Sequence, residues 1–257
     1  MRLLPLQAFA EVFEPLQGKR IGFVRPLGNV GDELIHTATF QLLDAFGIDW
    51  KIIDPAGDAD VEHIVFGGGG NMGTLYRNNW QLRSQVLRLG LPVTILPQSF
   101  TSQEDRPYAR VYVRERASLK YAPQATLAPD LALGLDLAGR TAPSRGVGVF
   151  VRKDQERTVA RPWLSRDPVR LCRTPLEYLR LAAAYRHVVT DRLHFAICGL
   201  LAGRRVTLLP NSYHKNRSMY ETWLQGLGCE FAWSVEESLA GVRPCVEMLG
   251  GALCRAA

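Results

Sequence analysis

Short apolar runs alternate with longer amphipathic stretches along most of the chain. IGFV (21–24), WKIID (50–54), HIVF (63–66), PVTIL running into PQSF (97–100) and RVYVRE (110–115) read as strands. Between them, apolar positions recur at helical spacing from about Glu33 to Phe46 and from about Leu75 to Leu89. Gly47 and Gly90 are the stops. Residues 3–16 predict a short amphipathic helix ahead of the first strand, and ASLKY a short helix after RVYVRE. The pattern breaks at 134–146, where Gly134, Gly139, Pro143, Ser144 and Gly146 cluster without periodicity. It then resumes. GVGVFV (146–151), VRLCR, HVVT, RVTLLP and CEFAW predict strands. PLEYLRLAAAY, RLHFAICGLLAG, RSMYETWLQGLG and a last segment from about Val235 predict helices.

Strands that alternate with helices predict an α/β protein with mostly parallel sheets. The break predicts two Rossmann-like domains, residues 1–138 and 146–234, with a helix over 235–257 closing the chain. At 257 residues the chain is long enough for this without disulfide or metal staples. In such sheets ligands bind beyond the carboxyl ends of the strands, so the residues that follow each strand carry the functional information.

Several of those strand ends stand out. Gly28-Asn29-Val30-Gly31-Asp32 follows the first strand. Its glycines permit close approach to a ligand, and Asp32 is placed to cap the next helix, whose N–H groups would face the cleft. A plain strand-to-helix turn with a capping Asp fits equally. Gly67 to Gly70, then Asn71, Met72 and Gly73, follow the third strand. No Lys-Ser/Thr closes a Walker loop there. The G-x-G-x-x-G of Gly68, Gly70 and Gly73 falls after the wrong strand for a dinucleotide fold. Four consecutive glycines still imply backbone passing very near a ligand or a partner domain. Arg152 follows GVGVFV. Arg114 and Arg116 flank Glu115 at another strand end, where a surface salt bridge is the simple expectation.

Thr190-Asp191-Arg192-Leu193-His194 is the most informative segment. Thr190 or Asp191 is placed to cap a helix with Arg192 and His194 in its first turn. Arg192 and the free N–H groups would make an anion pocket with a histidine suited to proton transfer beside it. A satisfied core histidine is the competing reading. Asn211-Ser212-Tyr213-His214-Lys215-Asn216-Arg217 is a polar loop that either holds phosphate or is simply solvated.

Charge sharpens the picture. The net charge is +6, but residues 1–135 sum to −1 and 136–257 to +7. Of 31 basic residues, 26 are Arg. Codon bias would explain that preference; so would a site for carboxylate or phosphate, which Arg binds bidentately. No dense basic run or nucleic-acid module is present, so nucleic acid is not an expected partner. Cys172, Cys198, Cys229, Cys245 and Cys254 are odd in number and widely spaced. Free thiols in a reducing cytosol are expected, with neither a disulfide framework nor a zinc site. Glu11 and Glu14 interrupt the only candidate signal sequence, and the longest apolar stretch, His194 to Gly203, is too short to span a bilayer. No H-E-x-x-H, D-x-D or G-x-S-x-G occurs, so no metal and no serine-hydrolase elbow is expected.

Taken in order, GNVGDELI, VFGGGGNMG, PQSF, VRERAS, APDLAL, VFVRKD, TDRLHFAI and LLPNSYHKN resemble the polysaccharide pyruvyl transferase family over about residues 21–217. The resemblance implies a compact version of the two-domain GT-B arrangement. It also implies transfer of pyruvate from phosphoenolpyruvate to a sugar as a cyclic ketal, in exopolysaccharide and cell-envelope biosynthesis. Arg152, Arg192 and His194 would bind phosphoenolpyruvate and act in catalysis, with Leu193 between them in the pocket. Asn29, Gly31, Asp32, Gly68, Gly69, Gly70, Asn71, Gln98, Ser99, Asn211 and Lys215 are the remaining substrate-binding candidates. No cofactor beyond the phosphoenolpyruvate co-substrate is implied. The acceptor is a sugar or lipid-linked oligosaccharide, and the expected location is the cytoplasm, with peripheral contact at the inner membrane face. The rival readings are a nucleotide-sugar glycosyltransferase, a non-catalytic binder of anionic glycans, and a Rossmann dehydrogenase built on the glycine loop.

Overall fold

A computed structural model describes residues 2–57, 60–137 and 142–240. It contains two parallel sheets. The first is built from β1 (Arg20–Val24), β2 (Asp49–Ile52), β3 (His63–Phe66), β4 (Gly69–Met72), β5 (Val93–Phe100), β6 (Arg110–Val113) and β7 (Thr126–Leu127). Its order is β2-β1-β3-β5-β6-β7, with β4 paired to β5. The second runs β11-β10-β9-β8, from β8 (Arg145–Phe150), β9 (Tyr185–Thr190), β10 (Arg205–Leu208) and β11 (Glu230–Phe231). The strand order of the first sheet reverses between β1 and β3, which makes a topological switch point where ligands of such folds bind.

Helices follow the strands. The N-terminal segment Leu6–Leu16 is α1 (Ala10–Phe13) flanked by 3-10 turns, and it buries Phe9, Val12, Phe13 and Leu16 at helical spacing. Pro15 has no N–H to continue a regular helix. After it come α2 (Val30–Ala45), α3 (Arg77–Arg88), α4 (Pro175–Ala183), α5 (Leu193–Leu201), α6 (Lys215–Met219) and α7 (Val235–Leu239). The expected helix over 217–228 starts at α6, widens into a π-helical turn at Tyr220–Leu224 and ends as a 3-10 turn before Gly228, whose φ is 83°. Residues beyond 240, most of the expected closing helix, lie outside the described residues.

Four expectations need correction. VRLCR is not a strand: Asp167 accepts a hydrogen bond from the Val169 N–H, and Pro168 opens a 3-10 turn at Pro168–Arg170. The glycine loop does not stay a loop, since Gly69–Met72 pairs with β5. That removes the helix N-terminus a dinucleotide would need. Asp32 is not the cap of α2. Asn29 is, accepting from the Gly31 N–H, while the Asp32 carboxylate at N3 accepts from the Asn29 N–H in a capping box. Finally, Gly134 does not belong to a linker. It closes a wholly buried 3-10 turn, Leu131–Gly134, and a Cβ there would meet Phe9 at 2.8 Å. Of the expected break, residues 138–141 lie outside the described residues.

One apolar cluster runs through both sheets. Leu34, Ala38 and Leu42 of α2 join Tyr178 and Ala182 of α4 and Phe195 and Ala196 of α5 in it. α2 packs directly on α4 and α5. The Trp223 indole N–H donates to the Arg114 carbonyl at 2.6 Å, and the Ala117 N–H to Ser218 Oγ at 3.0 Å. The carboxyl ends of β1, β3, β6, β8 and β9 therefore converge on one cleft.

Candidate functional site

A cavity of about 270 Å³ occupies that cleft. Arg152, Arg192, Leu193, His194 and Lys215 enter from the second sheet's side. Asn29, Gly31, Asp32, Gly70, Tyr76 and Arg114 enter from the first. The cations are already paired. Arg192 makes a two-pronged contact with Asp167 (Nε to Oδ1 3.0 Å, Nη2 to Oδ2 2.7 Å), and its Nη2 also reaches Asp154 Oδ2 at 2.7 Å. Arg152 holds Asp154 through Nε (2.6 Å) and Nη2 (3.2 Å), and Glu156 through Nη1 (2.6 Å). Glu156 also accepts from Lys215 Nζ at 2.8 Å, from Asn211 Nδ2 at 3.2 Å and from the Tyr76 hydroxyl. Burial alone would raise the Glu156 pKa. Lys215 and Arg152 outweigh it and hold that carboxyl well below the usual range. Burial lowers the Lys215 ammonium, with Glu156 opposing.

His194 meets a third group. Its Nε2 lies 3.4 Å from Asp130 Oδ2 and 3.3 Å from Arg114 Nη1, while Arg114 Nη1 donates to Asp130 at 2.8 Å. Burial pushes the Asp130 carboxyl up, but the His194 hydrogen bond and charge, then Arg114, pull it well below the ordinary range. Two glycines make this geometry possible. A Cβ on Gly31 would lie 3.1 Å from His194 Nδ1, and one on Gly70 would lie 3.0 Å from Arg114 Nη2. Any side chain at either place would push on the site.

The cap of α5 differs from expectation. Arg192 itself is the N-cap residue, and its N–H donates to Thr190 Oγ1 at 3.0 Å. Asp191 instead accepts from the Arg152 N–H at 2.9 Å and so ties the end of β9 to the end of β8. Its other oxygen has no partner among the described residues, and burial pushes its pKa up to about 6. Among the described residues no group of three or more His, Cys, Asp or Glu side chains could hold a metal ion. No helix among them is long and apolar enough to cross a membrane. Cys172, Cys198 and Cys229 are free and buried.

A cleft lined by arginines, with one histidine at a helix start, fits a small anion. A family model for polysaccharide pyruvyl transferases matches residues 29–213, which takes in all of the cavity lining but Leu27, Gly28 and Lys215. The chain belongs to the polysaccharide pyruvyl transferase family. It is 26% identical over 283 residues to the putative pyruvyl transferase EpsO of Bacillus subtilis (83% of this chain, 88% of that protein). It is 22% identical over 259 residues to general stress protein 30 of the same organism (77% and 76%). The crystal structure of KP1_0663, an uncharacterised protein from Klebsiella pneumoniae, matches with a TM-score of 0.72 at 22% identity, over 88% of this chain and 97% of that one. That likeness concerns the fold alone. Membership in the family supports pyruvyl transfer onto a polysaccharide.

The candidates named from the sequence divide in this family member. Arg152, Arg192, Leu193, His194, Asn29, Gly31, Asp32, Gly70 and Lys215 line the cavity. Gly68 and Gly69 do not. A Cβ on Gly68 would abut the Pro97 carbonyl at 2.9 Å, so Gly68 serves strand packing. The Asn71 side chain lies outside the described residues. Gln98 is fully buried and donates to the Gly67 carbonyl at 2.7 Å. Ser99 accepts from Arg114 Nε at 2.9 Å and donates to Glu115 at 2.8 Å. Asn211 orients Glu156 and accepts from the Asn216 N–H. These three support the lining without joining it. Arg114 corrects the surface-salt-bridge expectation: it is 1% exposed and lines the cavity, whereas Arg116 is exposed. Glu156, Tyr76 and Asp130 were not foreseen in any role. Arg114 and Glu156 carried a signal, a strand-end position in one case and i+4 spacing from Arg152 in the other; Tyr76 carried none.

Proposed function

We propose that this chain transfers the pyruvyl group of phosphoenolpyruvate to two hydroxyls of a sugar, forming a cyclic ketal and releasing phosphate. The observation that carries the reading is the small cavity lined by Arg114, Arg152, Arg192 and Lys215 together with His194. Phosphoenolpyruvate has a carboxylate and a phosphate within three carbons, and opposed guanidinium groups suit both ends. In this reading the second sheet is the donor side and the first sheet the acceptor side of a GT-B-like pair.

The chemistry balances as follows. The enol CH2 takes a proton and becomes the methyl group, leaving an electron-poor carbon bonded to phosphate oxygen. One sugar hydroxyl forms a C–O bond there and gives up its proton. The C–O bond to phosphate breaks, and phosphate leaves with the electron pair. The second hydroxyl closes the ring and gives up the second proton, which phosphate carries away. His194 suits the proton transfers: its Nε2 faces Asp130 and Arg114, and its ring sits at the cavity wall. The arginines stabilise charge as it builds on the departing phosphate.

Calorimetric titration tests the donor half. Phosphoenolpyruvate should bind the native protein and fail to bind Arg192→Ala. Binding that is equal in the two would overturn the assignment.

A further inference from the structure

A second concavity, of about 430 Å³, lies beside the charged cavity over the carboxyl ends of β1 and β2. Leu27 lines both and stands between them as a ridge, 61% exposed. The ridge is fixed in place. The Leu27 N–H donates to Asn79 Oδ1 and the Leu27 carbonyl accepts from Asn79 Nδ2, both at 2.8 Å, so the buried Asn79 of α3 grips this loop like a paired strand. Arg83, one turn further along the same buried face, is locked to Glu104 (Nε to Oε1 2.8 Å, Nη2 to Oε2 2.6 Å). Both contacts hold the buried face of α3 in place beside the loop.

The other face of α3 is what the groove sees. Asn78, Gln81 and Gln85 recur at i, i+3 and i+7, all exposed and all lining the groove. Arg25 and Asp54 also line the groove, and Arg25 is paired with Glu33 (Nη1 to Oε2 3.6 Å). This chemistry is the opposite of the neighbouring cavity. There, guanidinium and ammonium groups paired with carboxylates form the lining. Here, primary amides offer uncharged donors and acceptors beside the apolar side chains of Val24, Ile53, Pro55 and Leu82, which suits the hydroxyls and the C–H face of a sugar ring. The groove also sits next to the β1/β3 switch point, where folds of this class bind ligands.

We infer that the amide face of α3, with the Leu27 ridge, is the subsite for the acceptor: a neutral sugar ring seated in this groove, with its reacting hydroxyls directed over Leu27 into the charged cavity. The inference rests on the pyruvyl transfer proposed above. It adds where the acceptor lies and that hydroxyls, not charge, are recognised.

Saturation-transfer NMR can test it with a panel of methyl glycosides of glucose, galactose, mannose and N-acetylglucosamine. The protein carrying Asn78→Ala, Gln81→Ala and Gln85→Ala together is compared with the native chain and with Arg192→Ala. These three residues are exposed, so the triple variant should fold; its circular dichroism should match. At least one glycoside should show transfer from the native protein and from Arg192→Ala, and lose most of it in the triple variant. Phosphoenolpyruvate titration should be unchanged in the triple variant and lost in Arg192→Ala. Native protein that binds no glycoside of the panel, or transfer undiminished in the triple variant, overturns the subsite. Glycoside binding through the amides together with no phosphoenolpyruvate binding would instead sink the donor reading and leave the groove standing as a sugar site.

Discussion

Asp154 sets the behaviour of the two arginines that TDRLH and VFVRKD pointed to. Its carboxylate, 43% exposed, clamps Arg152 with both oxygens and Arg192 with one. An anionic donor must compete with it. Removing that charge leaves no cation stranded, because Glu156 still holds Arg152 and Asp167 still holds Arg192. Asp154→Asn should therefore tighten phosphoenolpyruvate binding several-fold in calorimetry; weaker binding would show that Asp154 orients the arginines instead. Asp130 behaves differently, since it is fully buried against Arg114. Its folded pKa lies below the unfolded value of about 4, so it stabilises the fold above that pH and loses this contribution as pH falls through the folded value. Asp130→Ala should cost roughly 3–5 kcal/mol near neutral pH, as for other broken buried pairs. In urea titrations the gap to the native protein should begin to close below about pH 4. A gap independent of pH would contradict this. Arg192 and His194 were legible because one motif holds both. Arg114 was legible as a strand-end residue but not as a buried one, because one sequence cannot show that Asp130, sixteen residues on, comes back to pair with it.

Most strands and the long helices were legible, since apolar runs with glycine stops report burial directly. The exceptions share a cause: tertiary partners overrode local pattern. VRLCR has strand composition, but Asp167 must turn the chain there to reach Arg192. The glycine run has no side chains to report its pairing with β5. Gly31 shows the same limit at the start of α2. Its role is a close approach to a helix 160 residues away in sequence, not a turn. Gly31→Ala would place a methyl group 3.1 Å from His194 Nδ1 and from Asn29 Oδ1. The expected result is a loss in kcat of roughly 10- to 100-fold from displacement of His194, with a smaller overpacking cost of about 1–3 kcal/mol. Unchanged kcat at reduced thermal stability would mean that the histidine's position is not critical.

Across the whole molecule, the two sheets share their largest core, beside a smaller cluster belonging to each. α2 of the first is buried against α4 and α5 of the second within one apolar cluster. Calorimetry of the native protein should show a single unfolding transition. Leu42→Ala, which opens a cavity in that shared core, should lower it as one transition, costing about 2–5 kcal/mol. Two separable transitions would mean that the sheets unfold independently. The charge split along the chain also looks different in three dimensions. The +7 half supplies Arg152, Arg192 and Lys215, but Arg114 comes from the half that sums to −1, so both halves line the charged cavity. The central claim is that this shared cavity moves pyruvate from phosphoenolpyruvate to a sugar. Its most direct test is to incubate the protein with phosphoenolpyruvate and a panel of sugar acceptors, and to follow phosphate release and ketal methyl signals by NMR. The account predicts that both appear together with at least one acceptor, and that both vanish in a folded His194→Ala variant. Near-normal turnover in that variant, or phosphate release with no ketal from any acceptor, would contradict it.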